Sequence, residues 1–424
     1  MLKELEKKIA DKSAVVAFVG LGKMGLPSAL KTAESGFRVI GIDVDKRVVS
    51  ALRRLRSPYV EPGVEEALKK NKARFRATTD YDALREADVI ICIVPTTITR
   101  QKQVDYSIVE NAFRKIAERL KRGALVVFSS NVTPGVTEEL VLPLLERVRK
   151  FKHERDFLLA YAPIQGKAGQ MFRDLDSYAK VVAGVTPKAR HAAALFFKQS
   201  GYKVKLATSC KVAELEKIFA NIFKDVNIAV ANELAAYCEK QGLGASEVRE
   251  VIRFVNEVPG IRLLEPGIGV GGNCLPVDPY FYLSHSRKIG ACVRLPKIAR
   301  EINDSRPSEF ARRIAAEARR RKAKKIILLG AAFRPNTHET AYSPAVEVCK
   351  ELERMRWNVS VFDPLVGKAR LKQLGLKPAG KAEVRKAVKA NSLKSPPNAS
   401  VFIVKLVNHA VFKKFAAAVD AEKL

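Results

Sequence analysis

The sequence predicts an α/β protein with two doubly wound, Rossmann-like domains that are joined by a long central helix. Two observations carry this prediction. Short apolar segments alternate with helical segments over the first part of the chain, and the same alternation returns after residue 325. Between them, a helical pattern runs from about 211 to 241, which is too long for an ordinary surface helix.

The first segment has the order strand, tight turn, helix and strand. An apolar run at 14–19 leads into GLGKMG at 20–25, a helix is expected over 26–35, and a second apolar run at 37–42 ends at Asp43. Glycines in this context permit a tight turn and close approach of the backbone to a pyrophosphate at the helix N-terminus. An acid that ends the second strand accepts hydrogen bonds from ribose hydroxyls, which favours NAD over NADP.

Two further strands, at 89–94 and 124–129, are each followed by a polar or proline-containing loop. Ligands bind beyond the carboxyl ends of parallel strands, so both loops are expected to face the cofactor. The predicted cofactor-binding residues are Gly20, Gly22, Met24, Gly25, Asp43, Pro95, Thr96 and Asn131.

The central helix carries Lys217 and Asn221, which are four residues apart and therefore share one helical face. Gly242 is expected to end the helix. We expect this helix to join the two domains and to form part of a dimer interface. The strands expected in the second, smaller domain are 325–329, 359–362 and 400–404.

The charge of the chain is unusual. Its 424 residues include 76 Lys and Arg against 45 Asp and Glu, a formal net charge of +31. Such an excess suggests a nucleic-acid partner, but the cations are spread over the whole chain, and nucleic acid is not expected as the main partner. A cytoplasmic protein that does not enter a membrane is expected, because no apolar run reaches the roughly 18 residues of a membrane helix and the charged N-terminus lacks a signal-peptide core.

Six cysteines without CxxC spacing and five dispersed histidines argue against a metal site and a disulfide framework. Cys274 stands apart, because it lies in the glycine-rich segment PGIGVGGNCLPVDPYFY at 266–282, four residues before Asp278. Backbone amide dipoles favour a thiolate, the nucleophilic form of cysteine. On composition alone, Cys274 is either a nucleophile or a small buried apolar residue.

Several segments together resemble the UDP-glucose/GDP-mannose dehydrogenase family, over the chain up to about residue 410. They are GLGKMGLP (20–27), VPT (94–96), AELEKIFANIFKDVNIAVANEL (213–234), PGIGVGGNCLPVDPYF (266–281) and FRPNTHETAYSPAVEV (333–348). The central helix, VNEVP (255–259) and AREINDSRP (299–307) are most similar to the UDP-N-acetylmannosamine dehydrogenase branch.

The resemblance implies that two NAD⁺ oxidise the 6-CH₂OH of a UDP-sugar to a carboxylate. It implies that Cys274 forms a thiohemiacetal and then a thioester, and that Lys217 stabilises negative charge on the substrate oxygen. Asn221 is expected to help hold that oxygen, and Asp278 to position or activate water. The substrate-binding residues that the resemblance implies are Lys217, Asn221, Gly271 and Arg334.

The same resemblance gives the expected division of the chain. An NAD-binding domain is expected at 1–205, a central helical dimerisation segment with the catalytic cysteine loop at 206–310, and a UDP-sugar-binding domain at 311–424. The partners expected are a UDP-sugar and further copies of this chain, in a homodimer or a higher homo-oligomer.

The sequence departs from the family pattern at several positions. A glutamate that serves in thioester hydrolysis follows a proline in the family, whereas Ile164 follows Pro163 here. Ala341 and Tyr342 stand where the family has an arginine before a Ser-Pro pair. The other departures are Asn131 for a threonine, Asn273 for a histidine and Arg334 for a lysine. We infer slow thioester hydrolysis, another base, or a diverged paralogue.

Three alternatives remain open from the sequence. GLGKMGLP also resembles the β-hydroxyacid dehydrogenases, although those chains have no cysteine loop and no second nucleotide domain. A non-catalytic sugar-nucleotide-binding protein is favoured by Ile164 and Ala341. Among enzymatic substrates, UDP-glucose and UDP-N-acetylglucosamine are the alternatives to UDP-N-acetyl-D-mannosamine.

Overall fold

The computed structural model describes residues 2–99, 101–167, 169–390, 400–413, 415 and 418–421. The chain forms two compact units. The first contains residues 1–220 and 280–290, and the second contains residues 221–279 and 291–424. The predicted division at 205 and 310 remains a prediction, since the long helix and the helix after the cysteine loop each contribute residues to both units.

An eight-stranded sheet forms the centre of the first unit. Its strands are β1 (Val15–Val19), β2 (Arg38–Ile42), β3 (Phe75–Thr78), β4 (Val89–Cys92), β7 (Ala124–Phe128), β8 (Phe157–Tyr161), β9 (Lys180–Gly184) and β10 (Val204–Leu206), and a separate hairpin joins β5 (Thr97–Ile98) to β6 (Val104–Asp105). The strand order is β10-β9-β8-β7-β4-β1-β2-β3. The four strands predicted for this unit are confirmed to within two residues.

Helices connect these strands. They are α1 (Leu2–Ala10), α2 (Gly25–Glu34), α3 (Lys46–Arg53), α4 (Val64–Lys70), α5 (Ser107–Arg119), α6 (Leu142–Arg149), α7 (Met171–Ser177) and α8 (Pro187–Gln199). Alternate residues of β1 enter two separate cores: Val16 and Phe18 pack on one face of the sheet, and Ala17 and Val19 on the other. Both faces are therefore covered, as a doubly wound sheet requires.

The sheet departs at one edge from the parallel pairing expected of a doubly wound sheet. β8 and β9 pair antiparallel through Ala160–Gly184 and Tyr161–Ala183, and β10 then continues parallel to β9. An antiparallel edge on an otherwise parallel sheet is common, and no local residue pattern distinguishes it from a parallel edge.

The second unit combines a helical segment with a four-stranded parallel sheet. The helices are α9 (Cys210–Lys240), α10 (Ala245–Glu257), α11 (Asp278–Lys288), α12 (Leu295–Arg320), α13 (Pro344–Arg354), α14 (Lys368–Gln373) and α15 (Lys381–Ala390), of which α9 and α11 begin or continue in the first unit. The strands are β11 (Lys325–Leu329), β12 (Val359–Phe362), β13 (Val401–Lys405) and β14 (Val419–Asp420), in the order β12-β11-β13-β14. Both the strands and the long helix agree with the prediction to within one residue.

A buried ion pair with amide partners fixes the helices of the second unit. Arg300 on α12 donates to Asp225 on α9 at 2.6 Å, and Asn303 donates to the same carboxylate at 2.9 Å. Asn232, two turns further along α9, donates to the side-chain oxygen of Asn303 at 2.9 Å. Burial raises the pKa of Asp225 more than its partners lower it, and the network sets the register of α9 against α12.

Lys180, at the start of β9, is buried in the first unit. Its Nζ donates to the backbone oxygen of Pro163 at 3.1 Å and lies 4.7 Å from the ring centre of Phe197. Burial, with a smaller contribution from the positive charge of Lys217, lowers the pKa of Lys180 to about 7. Among the described residues, the amine bonds to one carbonyl and to no carboxylate. Burial is therefore the largest influence on its pKa.

We expect Lys180→Met to gain stability relative to the wild type as the pH falls from 9.5 to 7. In this window the unfolded amine carries a proton that the folded one binds weakly, so wild-type stability rises with pH. The difference in the free energy of unfolding should change by about 2–3 kcal/mol. Urea unfolding at both pH values measures it, and an unchanged difference would contradict the lowered pKa.

Candidate active site

The glycine loop after β1 has the geometry that a bound dinucleotide needs. Gly20 has φ +96°, and a Cβ there would lie 2.1 Å from the backbone oxygen of Ile93. A Cβ on Gly25 would lie 2.1 Å from the oxygen of Gly20, whereas the space beside Gly22 is open. Gly20 and Gly25 therefore let the loop close, and Gly22 leaves room for a ligand to approach the backbone.

Asp43 lies where its carboxylate can serve a ribose. It follows β2, is only partly buried, and accepts hydrogen bonds from the amides of Leu21 and Asp45, both at 2.9 Å. These bonds fix the carboxylate next to the glycine loop while each oxygen keeps a further lone pair. The residues present thus fit NAD.

Two further cofactor loops meet beyond the carboxyl ends of β4 and β7. The amide of Val94 donates to Ser130 Oγ at 3.1 Å, and Ser130 Oγ donates to the oxygen of Val94 at 2.7 Å. This reciprocal pair brings the loop of Pro95 and Thr96 beside that of Asn131. Met24, immediately before α2, packs against the first core. All eight predicted cofactor residues lie in the first unit.

Cys274 is exposed and lies in the turn that leads into α11. Its backbone oxygen accepts from the amides of Val277 and Asp278, at 2.9 and 2.8 Å. Asp278 is buried, and Asn221 Nδ2 donates to its Oδ2 at 2.6 Å. The structure therefore joins two predicted site residues, Asn221 and Asp278, directly at the base of the cysteine turn.

Close backbone packing holds the cysteine loop against residues 333–344. The amide of Gly272 donates to the oxygen of Ala341 at 2.9 Å. A Cβ on Gly271 would lie 2.5 Å from Cβ of Phe333 and 2.9 Å from Cδ of Pro344. Gly271 is thus required by packing, and it places the cysteine loop against the segment that carries Arg334.

The buried network of α9 and α12 supports the other end of the same loop. Asn232 Oδ1 accepts from the amide of Gly267 at 2.9 Å, and Arg306 Nε donates to the oxygen of Gly267 at 3.3 Å. Both contacts lie within the second unit. The cysteine loop is therefore anchored at Gly267 by side chains and at Gly272 by backbone.

Lys217 is half-buried on the part of α9 that belongs to the first unit. Its neighbour Glu216 accepts from Gln165 Nε2 at 2.8 Å. The second carboxylate oxygen of Glu216 is buried and has no hydrogen-bond partner among the residues that the structure describes. Ile164, beside Gln165, is buried as well. Sequence reasoning missed Glu216 and Lys180, because nothing in their local pattern marks a contact with residues more than 15 positions away.

Four of the six cysteines are buried, as expected, and Cys274 and Cys292 are exposed. Within the described ranges, no group of three or more His, Cys, Asp or Glu residues is placed to hold a metal ion. None of the helices in the described part of the chain is long and apolar enough to cross a membrane.

Comparison with known proteins covers almost the whole chain. Residues 14–199 match the NAD binding domain of the UDP-glucose/GDP-mannose dehydrogenase family, residues 211–305 match its central domain, and residues 327–424 match its UDP binding domain. The match at 327–424 decides against the β-hydroxyacid dehydrogenase alternative.

Individual relatives agree with this assignment. A UDP-N-acetyl-D-mannosamine dehydrogenase of Pyrococcus horikoshii is 33% identical over 358 residues, which cover 83% of this chain and 84% of that protein. An NDP-N-acetyl-D-galactosaminuronic acid dehydrogenase of Ralstonia nicotianae is also 33% identical, over 369 residues that cover 85% of each chain.

A solved structure of a UDP-D-ManNAc dehydrogenase from Pyrococcus horikoshii superposes with a TM-score of 0.84 at 30% identity, covering 94% of this chain and 90% of that chain. The fold and the NAD cofactor predicted from the sequence are confirmed. This chain belongs to the UDP-glucose/GDP-mannose dehydrogenase family, the NAD-dependent nucleotide-sugar dehydrogenases that the sequence motifs indicated.

Proposed function

We propose that this protein oxidises C6 of a UDP-N-acetylhexosamine, UDP-N-acetyl-D-mannosamine first among them, from the alcohol to the carboxylate. The observation that carries the proposal is an exposed cysteine on a glycine loop that packs against the Arg334 segment of the UDP-binding region. Two relatives at 33% identity bear names with different N-acetylated hexosamines, which favours an N-acetylated sugar over glucose.

The first unit supplies the cofactor site. NAD⁺, when bound, accepts one hydride at each of two oxidations. The backbone beside Gly22 would bind the pyrophosphate, and Asp43 would accept from the ribose hydroxyls. The Pro95-Thr96 and Asn131 loops, tied together by Ser130, would close the far side of the same site.

Cys274 supplies what an alcohol dehydrogenase lacks. An aldehyde carbon must become tetrahedral before it can lose a second hydride. The thiolate adds to C6 of the aldehyde to give a thiohemiacetal, whose oxidation leaves a thioester on Cys274. Attack of water on that thioester releases the carboxylate and returns the thiol.

Lys217, Asn221 and Asp278 serve the substrate oxygen and the water. The ammonium of Lys217 stabilises negative charge that develops on the oxygen at C6. Asn221 holds the same oxygen and keeps Asp278 in place through the 2.6 Å hydrogen bond. Asp278 thereby positions water at the base of the cysteine turn, and Arg334 supplies a cation for the nucleotide phosphates.

Glu216 is the base that we propose in place of the carboxylate absent at Ile164. It lies beside Lys217, and its contact with Gln165 connects it to the segment that includes Ile164. Its second oxygen is buried without a partner in the described structure, a condition that a hydrogen-bonded water relieves. Glu216 is therefore our candidate for the base that deprotonates the water used in thioester hydrolysis.

A sugar-nucleotide-binding protein without turnover is the second candidate. The replacement of a glutamate by Ile164 and of an arginine by Ala341 favours it. A panel of UDP-N-acetylmannosamine, UDP-N-acetylgalactosamine, UDP-N-acetylglucosamine and UDP-glucose, followed by NADH absorbance, separates the two candidates. Binding of UDP without NADH formation from any of the four supports the binding protein.

Replacement of Cys274 by Ala should lower the rate of carboxylate formation by about a thousandfold or more, because no other step makes the aldehyde carbon tetrahedral on the enzyme. Cys292→Ala, at the other exposed cysteine, is the matched control and should leave the rate unchanged. Mass spectrometry of the sugar product measures both. Unchanged carboxylate formation in Cys274→Ala contradicts the assigned role.

Replacement of Glu216 by Gln keeps the hydrogen-bond acceptor for Gln165 but removes the base. We expect a rapid burst of NADH followed by turnover about a hundredfold slower than wild type, with an acyl group on Cys274. Stopped-flow absorbance and the mass of the intact protein measure these effects. Glu66→Gln, at an exposed position on α4, is the control. Wild-type turnover without an acyl adduct would refute the role of Glu216.

An apolar stripe on α9 supports the predicted homo-oligomer. Its members follow one another at intervals of three, four or seven residues, which puts them on one helical face. They are Val212, Leu215, Phe219, Phe223, Val230 and Tyr237, all exposed. A second copy of the chain is the proposed occupant, because a stripe along one helix pairs with itself across a two-fold axis.

Phe223→Asp should shift the protein from dimer to monomer, because Phe223 is 64% exposed at the centre of the stripe and a buried charge there has no partner. Phe254→Asp makes the same change on α10, outside the stripe, and should leave the dimer intact. Sedimentation velocity separates the two states. A monomeric wild type, or equal effects of the two variants, argues against this interface.

A further inference from the structure

His409 is a buried histidine to which the proposed reaction assigns no role. It lies in the turn after β13, within the second unit, and is 2% exposed. Its Nδ1 accepts from the backbone amide of Asn336 at 2.8 Å, and its Nε2 lies 3.1 Å from Asp363 Oδ2. An amide can only donate, so the network fixes the tautomer with the proton on Nε2, which donates to Asp363.

Asp363 anchors one side of this histidine. It follows β12 and accepts from the amides of Ala331 and Ala332, at 2.8 and 3.3 Å, and of Leu365 and Val366, at 2.9 and 3.1 Å. Burial raises the pKa of Asp363, but the hydrogen bond from His409 and the backbone amides outweigh burial and hold that pKa below its ordinary value. The carboxylate is thus a fixed anion that orients the imidazole.

Asn336 is held on the other side. Its backbone amide donates to His409, and its side-chain oxygen accepts from the amide of Ala410 at 2.8 Å. It adopts φ +57°, a left-handed conformation that asparagine tolerates better than most residues other than glycine. Asn336 lies two residues after Arg334, and its two contacts with residues 409 and 410 tie this segment to the turn after β13.

The segment that contains Asn336 also contacts the loop that precedes Cys274. Ala341 accepts from the amide of Gly272, and Phe333 packs against Gly271 with no room for a side chain. All of these residues belong to the second unit. Hydrogen bonds thus link Asp363, His409 and Asn336, and the chain segment that contains Asn336 contacts the loop before Cys274 through Phe333 and Ala341.

We propose that His409 is a positioning residue for nucleotide binding, which holds the Arg334 loop in the conformation that receives the diphosphate of the UDP-sugar. The part of His409 that does this is Nδ1, because it bonds to the loop, whereas the Nε2 proton only orients the ring on Asp363. The inference rests on the proposed function for the identity of the ligand and for the role of Arg334.

Two substitutions separate the two nitrogens. His409→Asn keeps an acceptor near the position of Nδ1 and loses the donor to Asp363, whereas His409→Gln keeps a donor near Nε2 and loses the acceptor for Asn336. His409→Gln should weaken binding of UDP about tenfold, the effect of one lost hydrogen bond in the binding conformation. His409→Asn should bind UDP within about twofold of wild type.

Isothermal titration with UDP as the probe and thermal unfolding of each full-length protein form the test. Both variants should unfold at a lower temperature, and only His409→Gln should bind UDP more weakly. KM for the UDP-sugar should rise in His409→Gln while KM for NAD⁺ stays constant. His191→Gln, at an exposed histidine of the first unit, is the control.

Two results would overturn the inference. If both variants bind UDP as tightly as wild type and differ from it only in thermal stability, His409 is a structural residue. If both lose UDP affinity equally, Nδ1 has no special role. Failure of the proposed function is a different result, in which the wild-type protein binds UDP but oxidises no UDP-sugar, and the comparison of the two variants still stands.

Discussion

The buried contact between Asp225 and Arg300 is the interaction on which the second unit depends. It connects α9 to α12, and through Asn303 and Asn232 it reaches Gly267 at the start of the cysteine loop. Loss of one partner from a buried ion pair leaves an uncompensated charge that costs about 3–5 kcal/mol. An apolar contact would provide similar stability. The register of the two helices is fixed by the directional hydrogen bonds of Asn303 and Asn232, which an apolar contact would lack.

In both sheets, a glycine turn follows the first strand and an acid follows the next strand. The two acids differ in their exposure. Gly20 and Gly330 each follow the first strand of a sheet, with φ of +96° and +98°. Asp43 and Asp363 each follow the next strand and accept amide hydrogen bonds from those loops. Asp43 remains partly exposed and can serve a ribose, whereas His409 covers Asp363, which is 2% exposed. The carboxylate that follows the second strand is therefore open to a ribose in the first sheet and covered by a histidine in the second.

Local patterns explain how much of the fold could be predicted. The strand–glycine–helix–strand order around Gly20 and the uninterrupted helical pattern that ends before Gly242 depend on residues within a few positions of one another, and both are confirmed closely. The antiparallel edge formed by β9 could not be predicted, because the pairing of Tyr161 with Ala183 depends on the path of the chain between them.

The residues of the candidate site also differ in whether the sequence alone could identify them. The cysteine loop is visible as a motif, so Cys274 and Asp278 could be named from the sequence, and the structure adds the bond from Asn221. Lys180 and His409, two buried groups outside the residues assigned to the reaction, could not be recognised from the sequence. Their partners, Pro163 and Asp363, lie 17 and 46 residues away, and a buried lysine or histidine has the same local pattern as an exposed one. Such contacts are properties of the tertiary structure alone.

The positive charge is spread over the whole chain, but its excess is greatest in the last part. Residues 311–424 contain 25 Lys and Arg against 9 Asp and Glu, a net charge of +16 in about a quarter of the chain. Even Glu317, which accepts hydrogen bonds from Arg320 and Arg321 that lower its pKa to about 2, is outnumbered by the cations around it. This field attracts a nucleoside diphosphate from a distance, but it acts on every polyanion in proportion to charge. Selection of one polyanion over another must therefore come from short-range contacts, because the field does not distinguish between ligands of equal charge.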